Sequence, residues 1–75
     1  MNKDRRNQIK KVINMLQNAK EILNSICDEE QDAYDNMPEN LQGSMRASDM
    51  EDAISEMSDA LDAIDDVCDT LEGVT

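Results

Sequence analysis

The sequence predicts an all-α fold: an antiparallel helical hairpin with coiled-coil-like heptads, dimerising into a four-helix bundle. Three observations carry this expectation. Apolar residues recur at three- and four-residue spacing through two long segments. The stretch "NMPENLQGS", residues 36–44, separates them and holds the only proline. Each apolar stripe is wider than one two-stranded seam requires, which leaves surface for a second copy. With 75 residues and no Phe or Trp, residues 1–75 form one small domain, of a size that often gains its core by self-association.

Helix one is expected over residues 4–35. With Ile9 at heptad position a, Leu16 and Leu23 follow at a, and Val12, Ala19, Ile26 and Ala33 fall at d. Ile13, Cys27 and Tyr34 at e, with Met15 and Ile22 at g, broaden the stripe. Pro38 ends the helix, because its ring blocks continuation and pushes Met37 out of the helical region. The connector is expected over residues 36–47, with one helical turn at 38–41 tucking Leu41 onto the bundle end.

Helix two is expected over residues 49–72. Ser48-Asp49-Met50-Glu51 matches a capping box, and Gly73 offers a stop. Met50, Met57, Ile64 and Leu71 repeat at d, and Ile54, Leu61 and Cys68 at a. Ala53, Ala60, Val67 and Val74 widen this stripe at g. A short connector makes the helices antiparallel, pairing residues whose numbers sum to about 84. The core and dimer seam should therefore hold Ile9, Val12, Ile13, Leu16, Leu23 and Ile26 against Met50, Ile54, Met57, Leu61, Ile64 and Leu71.

The charge is polarised. Residues 1–20 carry six Lys and Arg against Asp4, whereas the rest of the chain has seventeen acids against Arg46. An antiparallel hairpin sets the basic start of helix one beside the acidic end of helix two, and each corrects the other's helix dipole. The middle of helix two stays unopposed. Asp52, Asp59 and Asp66 fall at the outward position f, flanked by Glu56, Asp62 and Asp69. These six are the expected partner-binding face, since a net charge of −11 exceeds the magnitude of ~2–8 that keeps a small domain soluble.

Catalytic, cofactor and metal sites are not expected. The carboxylate pairs Glu29/Asp32, Glu56/Asp59 and Asp62/Asp65 lie almost all on the outward face, with Glu30 the only acid at a core a position, and the chain has no His for a Glu-x-x-His bundle site. Cys27 lacks a neighbouring cation or His to activate it. Two glycines cannot form a phosphate-cradling loop. Cys27 and Cys68 should sit about 16 Å apart along the hairpin, too far to bridge. No run reaches the ~20 apolar residues of a membrane span, and the N-terminus lacks a signal-peptide pattern. Two unpaired thiols then fit a reducing cytoplasm, and the negative charge opposes direct nucleic-acid binding.

"CDEEQDAYDNMPENLQGS", residues 27–44, with the acidic heptads after it, resembles short acidic helical-hairpin proteins of Gram-positive bacteria and their phages. The resemblance implies a helical hairpin of mobile-element origin in a bacterial cytoplasm, and brings no activity or functional residues. The secreted hairpins of type VII systems turn at Trp-x-Gly, which "PENLQGS" does not provide. Two functions are left open. One is a non-enzymatic inhibitor whose acidic helix occupies a basic surface of a host protein, such as a nucleic-acid-binding groove. The other is a structural or adaptor hairpin whose acids only provide solubility.

Overall fold

The computed structural model describes every residue except Gln42, which belongs to the connector motif and lies outside the described residues. Helix α1 spans Lys3–Asp35 and opens at Asn2, whose Oδ1 accepts the Arg5 N–H at 2.8 Å. That bond satisfies one of the orphan donors of a helix start. The helix runs out at Asn36, two residues short of Pro38. A 3-10 turn, Glu39–Leu41, follows and is closed by the Leu41 N–H donating to the Pro38 carbonyl at 2.9 Å.

Helix α2 spans Met45–Glu72 and therefore begins a turn before the Ser48 capping box. The residue that caps it is Ser44, whose Oγ accepts the Ala47 N–H at 3.3 Å. Ser48 lies within the helix and donates its own N–H to the Ser44 carbonyl. Both serines offer the same capping chemistry. The earlier start adds Ala47 to the packed face, where it is completely buried. The connector shortens accordingly to residues 36–44. Leu41 remains about half exposed, at 47%, and so is not tucked against the helices. Gly73 ends α2 in a right-handed conformation with φ −64°, not in the left-handed one typical of a glycine stop. Residues 73–75 close the last turn with bonds back to the carbonyls of Thr70, Leu71 and Glu72.

The two helices pack side by side into a rod with extents of 59 × 15 × 12 Å. No strand occurs among the described residues. Two cross-links fix the register. The Lys20 Nζ lies 2.5 Å from the Asp65 carboxylate, and the Tyr34 hydroxyl donates to Glu51. These links are fourteen residues apart on both helices, so the pairing is antiparallel and does not slip over that length.

Burial shows which stripe forms the seam. On α2 it is the expected one: Met50, Ile54, Met57, Leu61, Ile64 and Leu71 are half-buried, and Cys68 is buried. On α1 the seam runs through Ile9, Ile13, Leu16, Lys20, Leu23, Cys27, Glu30 and Tyr34. These steps alternate between four and three residues, the spacing of a left-handed coiled coil. Val12 and Ile26, expected in the core or the dimer seam, are 44% and 48% exposed in the hairpin, and Ala19 and Ala33 are exposed with them. The reason is the amphipathic character of Lys20 and Tyr34. Each lays an apolar stem on the seam and carries its polar tip to α2, so a row that reads as interrupted by a cation forms the seam.

The core is thin. Ile13, Ala47 and Cys68 are the buried apolar residues among those described. Cys27 is half-buried, and both thiols are free.

Candidate functional site

The rotation of α1 gives the hairpin two unlike sides. Along one side, shallow grooves between the helices are lined mostly by polar residues, with the seam residues Ile54 in one and Ile13 in another. One holds Gln31, Tyr34, Glu51, Ser55 and Ser58, and another holds Lys10, Asn14, Gln17 and Glu72. The opposite flank of each helix carries Val12, Ala19 and Ile26 on α1, and Ala60, Val67 and Val74 on α2. All six are exposed.

The six acids singled out by the sequence, Asp52, Glu56, Asp59, Asp62, Asp66 and Asp69, are all exposed. They follow one another at steps of three or four residues, so they form a stripe along the outside of α2, about 25 Å long at ~1.5 Å per residue. None is in an ion pair. Among the described residues the single ion pair is Lys20–Asp65.

The fold also sorts charge along its length. The half bearing the chain termini, residues 1–20 and 60–75, holds six acids and six bases. The connector half, residues 21–59, holds twelve acids and Arg46. The whole net charge of −11 therefore sits on the connector half. The stripe crosses the boundary, with Asp52, Glu56 and Asp59 on the uncompensated side.

Two shifted ionisations mark the places where the helices are tied. The hydrogen bond to Asp65 holds the Lys20 pKa above its ordinary value of 10.5. The hydrogen bond to Glu51 raises Tyr34 above 10.0. In both cases the protonated form is favoured by folding. The stabilisation is therefore fully present below the unfolded-state pKa and disappears as pH rises through the folded-state value. Tyr34 is the only aromatic residue, so an ultraviolet titration reads it alone. Its midpoint should lie higher in the native protein than in denaturant, and Glu51→Ala should return it toward the denatured value. Equal midpoints in the native and denatured wild type would mean that the hydroxyl makes no bond to Glu51. Sequence reading did not pair these two residues, although the antiparallel register alone sets them level.

No group of three His, Cys, Asp or Glu among the described residues is placed to hold a metal ion. No helix among them is long and apolar enough to cross a membrane. The class defined by this geometry is an acidic antiparallel helical hairpin. Comparison with family models, with curated proteins and with solved structures returns no match to the chain.

Proposed function

We propose that the protein is a non-enzymatic binding module of the phage or mobile-element inhibitor type. Its acidic second helix occupies a basic surface of a host protein in the cytoplasm, and it makes no direct contact with nucleic acid. The observation that carries this reading is the outward stripe from Asp52 to Asp69, six exposed carboxylates with no ion-pair partner in the fold. A low-dielectric core has no use for such a stripe, and repulsion along it costs stability. Unpaired like charges along one face instead raise the rate of encounter with a basic surface and make it salt-dependent. A basic groove that ordinarily holds nucleic acid fits the stripe best, because its cations are already arranged to follow a line of negative charge.

The test uses the Asp59→Asn, Asp62→Asn, Asp66→Asn triple variant. None of the three packs on the seam, so helicity and melting should be retained. Each exposed charge contributes on the order of 1 kcal/mol or less, and the three together should weaken capture of the host partner markedly. Adding the partner's own nucleic acid should displace the wild-type protein. Loss of affinity without displacement would leave an acidic protein-binding face and remove the mimicry. Unchanged capture by the triple variant favours the second reading, a structural or adaptor hairpin, which the exposed apolar flank of both helices supports.

A further inference from the structure

We propose that the apolar side of the hairpin is a self-association surface on which a second copy lies antiparallel, with the two-fold axis passing beside Ala19. It concerns a different side of the molecule from the acidic stripe and does not rest on that reading.

The apolar side is built by both helices. On α1, Val12, Met15, Ala19, Ile22 and Ile26 climb one flank at steps of three and four, and all are exposed, Met15 at 70% and Ile22 at 65%. No charged residue interrupts this row. At the same level on α2, the register set by Lys20–Asp65 brings Ala60, Val67 and Val74 alongside. Exposed rows of this length on a small chain mark an interaction surface.

Three properties of the row select a second copy of this chain as its occupant. First, the row is self-complementary about its middle. Reversing α1 about Ala19 sets Val12 opposite Ile26 of the second copy and interleaves Met15 with Ile22. The small side chain at the centre allows close approach. Second, Ala19 is also the midpoint of Lys3–Asp35, so the same centre gives full-length overlap. A side of roughly 59 by 15 Å offers about 900 Å², close to the ~800 Å² per partner of a standard interface. Third, the charges choose the direction. An antiparallel pair lays the terminal half of each hairpin, which has no net charge and carries the basic arm, over the other's connector half. Arg5 then stands level with Ala33 of the second copy, within about one helical turn of its Glu29 and Asp32. A parallel pair would superpose two connector halves of −11 each.

Three measurements on the intact chain test this. Sedimentation equilibrium at tens of micromolar should give twice the 8.5 kDa chain mass. A folded species of single mass overturns the proposal. Ile22 is mostly exposed in the hairpin, so Ile22→Glu should halve the mass while helicity persists; an undiminished dimer would exclude this side. For direction, the Val12→Cys, Ile26→Cys double variant is oxidised and the joined peptides are mapped by mass spectrometry. These positions lie fourteen residues apart on one helix, too far to bridge within a chain. Bridges between Cys at 12 of one copy and at 26 of the other are expected. A 12-to-12 bridge, or no bridge between copies, contradicts the antiparallel arrangement.

Discussion

Replacing Leu61 with Lys is expected to abolish cooperative folding, the largest effect of any single substitution in this chain. Leu61 lies mid-way along the α2 seam, half-buried between Met57 and Ile64. The register sets it level with Leu23 and Asn24. The carboxylate on the facing row, Glu30, lies about two turns of α1 away from that level, whereas Lys20 reaches Asp65 directly. An unpaired charge held against an apolar seam costs several kcal/mol. With so few residues fully buried, the folded state of a chain this small has little reserve against such a loss. Helical circular dichroism should fall and the thermal transition should vanish. The control is one residue away: Asp62→Lys places the same side chain on an exposed position and should melt close to the wild type. If Leu61→Lys melts as sharply as Asp62→Lys, the seam does not pass through residue 61.

Added salt is expected to raise the melting temperature. The connector half concentrates twelve acids against one base, and exposed like charges repel over a Debye length of ~10 Å at about 0.1 M salt. The attraction that salt also weakens, between the basic start of α1 and the acidic end of α2, is supported by one ion pair among the described residues. Repulsion is the larger quantity, so screening stabilises. A gain of about 1 kcal/mol would move the midpoint of a domain this size by roughly 4–8 °C. Deleting residues 1–6 removes Lys3, Arg5 and Arg6 together with Asp4 and should steepen the rise. A midpoint that falls with salt in both forms would show that attraction between the helices outweighs the repulsion in the connector half.

The two helices, their antiparallel order and the α2 seam are legible in the order of residues alone. Heptad spacing from Met50 to Leu71 has one apolar row per face, and Pro38 leaves a single place to turn. The same order keeps Asp52, Glu56, Asp59, Asp62, Asp66 and Asp69 outside, because seven-residue repeats of carboxylates cannot share a face with the apolar row. The Ser48 capping box placed the start of α2 one turn too late: Ser44 offers the same capping chemistry, and the earlier start buries Ala47. Tertiary structure alone decided which flank of α1 faces α2. Rows through Val12 and through Ile13 have the same spacing, and hydrophobicity favours the first, whose d positions from Val12 to Ala33 are all apolar. The second packs in the hairpin because Lys20 and Tyr34 find Asp65 and Glu51 across the seam. Only pairing with another helix gives those two side chains a partner, and that pairing turns the apolar row of α1 outward.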